Sequence, residues 1–483
     1  MQPKIELLTP DIIARILDEA FQLMQKPGIK VQSASARALL VGAGASVDGE
    51  VVKIPEKIVR EALGTTPEQF FLYDRIGQPQ VRYGGASVLF DPGSSGVHIL
   101  DPETLEHKAS YTPDLVRVVK VAEMLPQYAA QSTAIVCNEV PKAIGDFYRL
   151  YIVLLFSKKP IVTGSFSVQN LPVMFDMLAL FAGTRQVLSE KPQAVFDVCP
   201  SPPLIWSEFG ADNLIELARA RVPAQLISMP LAGAAAPVTL LGSVVQHAAE
   251  SLSGIAIHQL ANPGAPVVWG GAPAIFDMRH GTTPMGAIET AMIDAAYAQV
   301  GKSLNLPTHA YLGASDSKVV DAQAGLESGI TAIIGALAGI NMISGAGMLD
   351  FLACQSPEKL VVDAEGIAMA QRLLSGIEVR TETLATALFE GINFKGDFIK
   401  QKITRDLFSL EQYLPSSVID RDSIRGWQAS GSPDTFARAI TRTRELLAAY
   451  EQPRYSAEQD RELRTMVENL ARKAGMDALP NTE

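Results

Sequence analysis

The segment 266–312, PVVWGGAPAIFDMRHGTTPMGAIETAMIDAAYAQVGKSLNLPTHAYL, decides how this chain folds. It opens with a short apolar run at 266–269 and closes with another at 308–312. Between them a long stretch places Ile288, Met292, Ala296, Val300 and Leu304 on one face. Apolar residues recurring every three to four positions mark a helix, whereas short continuous apolar runs mark strands buried on both sides. Strand, helix and strand in that order form the unit of a parallel sheet.

The same alternation extends outward over about residues 86–350. Strands are expected near 87–90, 131–136, 161–166, 194–198, 224–228, 266–269, 308–312 and 341–344. A second clear helix carries Leu171, Met174, Leu178 and Phe181, and the stretch 238–260 after strand five is unusually long. Eight strands, each followed by a helix-length segment, fit a closed (β/α)8 TIM barrel better than a doubly wound sheet. The expected fold class is therefore α/β, a TIM barrel over 86–350 with an N-terminal α/β extension and a C-terminal helical segment.

The extension, residues 1–85, begins with a capped helix at Thr9-Pro10-Asp11 whose inner face is Ile12, Ile16, Ala20 and Leu23. A short helix over 34–42 follows, then a strand and helix in VVKIPEKIVREAL, then a hairpin in FFLYDRIGQPQVRYG around Gly77-Gln78. Residues 351–483 are helical and more charged. KLVVDAEGIAMAQRLLSGIEV, ETLATALFEGI and DTFARAITRTRELLAAYEQ are amphipathic stretches that pack on the barrel or offer surface for self-association.

Composition excludes several classes. Hydrophobic residues make up 47% of the 483 and charged residues 19%, enough for a large core. A net charge of −11 without a run of Lys or Arg argues against a nucleic-acid partner. Cys137, Cys199 and Cys354 lie far apart, with neither disulfide-framework nor zinc spacing. The start of the chain lacks the pattern of a signal peptide, and no window reaches ~18 uncharged apolar residues. The expectation is a cytoplasmic protein without membrane contact.

TIM-barrel active sites lie at the carboxyl ends of the strands, so the strand ends nominate residues where no catalytic motif does. They supply Asp91, Phe166, Asp197, Trp269, His309 and Tyr311, then Ser315-Asp316 with Lys318 just beyond. Many of these loops begin with glycine or alanine, leaving room for a bulky group. Acids together with aromatics favour a cation, since each ring face adds ~0.5–2 kcal/mol. Structural alternatives stand beside these roles: Phe166 and Trp269 as packing aromatics, Asp91 as a turn residue before Pro92, Ser315 or Asp316 as a helix cap. GxSxG, HExxH and GxxxxGK[ST] are all missing, and the six histidines are scattered. No metal site is expected, and no catalytic residue can be named.

Four stretches carry a family resemblance: 91–126 (DPGSSGVHILDPETLEHKASYTPDLVRVVKVAEMLP), 270–292 (GGAPAIFDMRHGTTPMGAIETAM), 308–325 (THAYLGASDSKVVDAQAG) and 344–379 (SGAGMLDFLACQSPEKLVVDAEGIAMAQRLLSGIEV). In order and spacing they resemble the trimethylamine methyltransferase superfamily over nearly the whole chain. The resemblance implies a TIM barrel that moves a methyl group from an amine to the cobalt of a small corrinoid protein. Founding members carry pyrrolysine; this chain carries none, so it is similar to the branch acting on quaternary amines. Glycine betaine is the first expectation, with proline betaine and carnitine as alternatives. The corrinoid arrives on a partner protein, and no tightly bound cofactor is expected.

A quaternary ammonium leaves as a neutral tertiary amine, so such a site needs no general acid; it must orient one methyl, exclude water and hold the cation. On this reading Asp91, Asp197 and Asp316 supply negative field, with only one or two facing the pocket, because the substrate also carries a carboxylate. Phe166, Trp269 and Tyr311 supply ring faces. Ser315, His309 or backbone N–H groups bind the carboxylate. Two other classes compete: a lyase or aldolase on the same barrel, with Lys318 as Schiff-base amine, and a non-catalytic betaine binder, which would be expected to show an export signal and two lobes.

Overall fold

All eight apolar runs become strands, and all eight run parallel. In the computed structural model, which describes residues 2–390, 394 and 396–482, they are Leu89–Pro92, Gln131–Ser132, Ile161–Thr163, Ala194–Val198, Ala224–Ser228, Val267–Gly271, His309–Ala310 and Met342–Ala346. The second to sixth pair in order, and the seventh, eighth and first pair around Met342–Ala346. Parallel bridges Phe90–Tyr128 and Trp269–Thr308 join the two groups at both edges and close the sheet. The eight outer helices are Thr112–Met124, Gly145–Phe156, Leu171–Ala182, Glu208–Ala220, Leu240–Ala261, Ile288–Ser303, Ala322–Leu337 and Pro357–Leu374. This is a TIM barrel.

Alternation along each strand sorts the side chains. Ala130, Val162, Val195, Val268 and Met342 meet inside the barrel. Their neighbours turn outward onto the helices, as Phe196 does, edge-on to Phe175 with ring centroids 5.8 Å apart. The hairpin Phe70–Tyr73 with Pro79–Tyr83 inserts Leu72, Val81 and Tyr83 into the same inner cluster. The N-terminal extension thus plugs one end of the barrel. Above the plug the interior turns polar.

The flanking segments explain two helices with no polar face. Leu240–Ala261 is buried almost throughout, because Pro10–Gln25, Ala34–Gly42 and Glu56–Thr65 pack over its outer side. Gly145–Phe156 is buried at every position, with Ala457–Lys473 packed against it. Its carboxyl end is also covered: Tyr450, Gln452 and Tyr455 donate to the carbonyls of Phe156, Leu155 and Ser157. Those carbonyls have no partner within the helix itself.

Two features differ from expectation. Pro357–Leu374 lies beyond residue 350 yet belongs to the barrel, since the eighth strand needs an outer cover like the other seven. Residues 391 and 392 of the stretch 382–392 lie outside the described residues, and the remainder forms only the 3-10 turn Thr386–Phe389. Among the described residues no helix is long and apolar enough to cross a membrane.

Candidate active site

Two linked networks fill the polar interior. In the deeper one, the Ser344 hydroxyl donates to Asp91 Oδ1, and His309 Nε2 lies 3.0 Å from the same hydroxyl. Asp91 is fully buried, and its Oδ2 has no hydrogen-bond partner among the described residues. Burial drives its carboxyl well above the usual range, which favours the neutral form. Burial also holds His309 at about 3, leaving a neutral imidazole. The ring fills the space above Gly270, where a Cβ would stand 2.6 Å from Leu226 O and 3.0 Å from His309 Nδ1.

The second network opens to the mouth. Asp197 Oδ1 accepts from Gln225 Nε2 at 2.7 Å, and Oδ2 accepts from the Tyr311 hydroxyl at 3.1 Å. Gln225 Oε1 in turn accepts from Tyr83 of the plug at 3.0 Å. Tyr311 OH also lies 3.3 Å from Ser94 Oγ in the first loop. Asp197 is partly open to solvent toward the mouth and enclosed by protein on its other sides. Burial pushes its pKa up to about 7, against the two hydrogen bonds that favour the charged form. Repulsion from Asp197 raises Asp91 further, and burial weighs more heavily on Asp91 than on Asp197, so the outer carboxyl is the easier of the two to ionise.

Beside this floor sits Arg149, from the helix after strand two. Its Nη1 donates to Ser95 Oγ at 2.7 Å and to Thr133 O at 2.8 Å, and its guanidinium lies 4.6 Å from the centre of the Phe166 ring. Phe166 is itself 46% exposed.

Of the residues expected from the sequence, Asp197 and Tyr311 come together at the mouth, and Phe166 lies against Arg149, which takes one face of its ring. Asp91 and His309 lie beneath the mouth, so His309 cannot donate to a substrate carboxylate. Trp269 is a correction: its indole is fully buried in the helix layer, donating to Tyr297 O at 2.9 Å and lying on Gly301. Val268 on the same strand points inward, and pleating forces Trp269 outward.

Ser315 and Asp316 are corrections of another kind. Ser315 Oγ donates to Glu327 Oε2 at 2.6 Å, and Asp316 accepts the backbone N–H groups of Met285 and Gly286 at 2.8 and 3.0 Å. They tie loop seven to its neighbours. Neither caps the next helix, a role taken by Asp321. Lys318 is also engaged: its ammonium lies 3.8 Å from the Phe351 ring centre and 3.4 Å from Asp350. The strand-end glycines are not vacant space either. A Cβ at Gly93 would stand 2.3 Å from Met348, and one at Gly345 would stand 2.4 Å from Leu312 O.

Ser94 and Ser344 lie in the loops that the strand ends nominate, whereas sequence reasoning missed Arg149 and Gln225. A signal existed for both: Gln225 is a polar residue inside the apolar run AQLIS, and Arg149 is the one basic residue of GDFYRLYIVLLF. Among the described residues no three His, Cys, Asp or Glu side chains gather as a metal site.

A family model described as trimethylamine methyltransferase (MTTB) matches residues 1–476. A trimethylamine methyltransferase of Methanosarcina thermophila is 31% identical over 453 residues, covering 92% of this chain and 93% of the relative. A glycine betaine methyltransferase of Desulfitobacterium hafniense (strain Y51) is 28% identical, covering 98% of each. The crystal structure of the Methanosarcina barkeri monomethylamine methyltransferase aligns with a TM-score of 0.54 at 11% identity, over 92% of this chain and 89% of that one.

Proposed function

The chain belongs to the trimethylamine methyltransferase family, and from that premise we propose a cytoplasmic enzyme that moves a methyl group from a quaternary amine, glycine betaine first, to the cobalt of a corrinoid protein. The observation that carries this reading is the Asp197 carboxylate, held between Gln225 and Tyr311 at the floor of an open barrel mouth. A permanently charged ammonium fits such a floor: the carboxylate attracts it and the Tyr311 ring gives it an apolar, electron-rich face. Among the described residues nothing at the mouth is arranged as a nucleophile with its base, and methyl transfer from an ammonium to an external nucleophile requires neither.

The reduced corrinoid, when its carrier docks, supplies the nucleophile that accepts the methyl group. Loops after strands three, five and six leave Phe166, Met229, Val238 and Met278 exposed at this end of the barrel, an apolar rim suited to receiving it and shedding water. Asp197 and Tyr311 hold the ammonium so that one methyl points out of the mouth. Arg149, Ser95 and Thr133 brace the first two loops around it. The amine departs uncharged, and its attraction to Asp197 falls as it forms.

Single-turnover assays with a reduced corrinoid protein test the reading, using glycine betaine, proline betaine, carnitine and trimethylamine. Methylation from a quaternary amine is the expected result. Turnover of trimethylamine alone would overturn it.

A further inference from the structure

Arg149 is the charged group at the mouth whose chemistry remains unspent. Arg149 is 1% exposed, and its two hydrogen bonds, both from Nη1, go to neutral oxygens. The other edge of the fork, Nε with Nη2, makes no hydrogen bond with any described residue. No carboxylate among the described residues lies within the 4.0 Å of an ion pair. The acid one turn before it, Asp146, is committed to the backbone N–H groups of Phe147 and Phe166 and to Asn170. A cation buried without a counter-ion is costly, and the cost is relieved when an anion binds. Burial accordingly lowers Arg149 to about 10, still fully protonated at neutral pH.

The Phe166 ring centre lies 4.6 Å from the guanidinium carbon. Carboxylates bind guanidinium groups in the plane, through two parallel N–H bonds. The Nε–Nη2 edge is the one that no described residue takes up in this way. Ser315 and His309, the side chains expected to meet a substrate carboxylate, are both committed elsewhere. Arg149 and Asp197 also set opposite charges around Tyr311, which feels both electrostatically.

We propose that Arg149 is the carboxylate-recognition residue of this mouth, taking the anionic end of a zwitterionic substrate whose methylated ammonium lies against Asp197 and Tyr311. The inference rests on the quaternary-amine reading and narrows it to substrates carrying both charges. An ammonium without a carboxylate leaves the guanidinium unpaired, so selectivity comes from one interaction gained or forgone.

Calorimetric titration with glycine betaine and with tetramethylammonium, the same cation without its carboxylate, tests this. The readout is the ratio of the two dissociation constants in wild type, Arg149→Gln and Arg149→Lys. Loss of a charge-assisted pair should move the ratio against glycine betaine roughly ten- to a hundredfold in Arg149→Gln. Arg149→Lys, which keeps the charge and serves if the glutamine variant does not fold, should move it severalfold. An unchanged ratio overturns the inference, including the case where both ligands weaken equally because Arg149 only braces the loops. Wild type that binds neither ligand overturns the quaternary-amine reading itself, and this inference with it.

Discussion

Asp197 and Asp91 are two aspartates in one barrel with opposite duties. Asp91 takes a hydrogen bond from Ser344 and sees no solvent, and burial favours its neutral form. Asp197 has two donors and an opening to the mouth, which brings its pKa to about 7. Cation binding should therefore follow Asp197 alone. Tetramethylammonium affinity is expected to drop about tenfold from pH 8 to pH 6, as Asp197 takes up a proton. In Asp197→Asn the affinity should be lower and flat over that range; a titration series across pH checks both. Stability runs the other way. The folded chain keeps a proton on Asp197 that the unfolded chain, with an ordinary pKa of about 3.9, has released. That contribution is full below about pH 4 and is lost as pH rises through about 7.

At the scale of the strand, a shift of one position separates a ligand contact from a packing residue. Val268 faces the barrel axis, Trp269 the helices, and Gly270 the axis again beneath His309. The sequence reading located every barrel strand, because a run of apolar residues between turns is a local signal. It could not assign faces, because a strand buried on both sides carries no polar alternation to read. Tyr311 and Trp269 look equivalent as strand-end aromatics, and only one reaches the mouth. Trp269→Ala should cost roughly 3–5 kcal/mol of stability by urea denaturation, from the lost burial and the cavity left over Gly301. Its tetramethylammonium affinity, measured while folded, should stay within about twofold of wild type. A large loss of affinity in a folded variant would put Trp269 back at the site.

At the scale of the molecule, the flanking segments finish what the barrel leaves open. The extension plugs the barrel floor and reaches the site through Tyr83, while the C-terminal segment covers the helix that carries Arg149. A chain ending at residue 449 would uncover that helix and free the carbonyls held by Tyr450, Gln452 and Tyr455. It should aggregate on size-exclusion chromatography or melt at clearly lower temperature than the full chain. From its own pattern the sequence determined the eight strands, their helices and their order, hence the barrel and the end at which chemistry sits. These rest on periodicity and composition within a few turns of chain. Only the tertiary structure decided which strand-end groups meet. Asp197 and Tyr311 lie 114 positions apart, and barrel closure is what brings their oxygens within 3.1 Å. Arg149 entered the site the same way, from a buried helix whose N-terminal half returns to the mouth. Pairing of this kind is fixed by strand register and by which side of the pleat each residue occupies, and neither quantity is written locally in the chain.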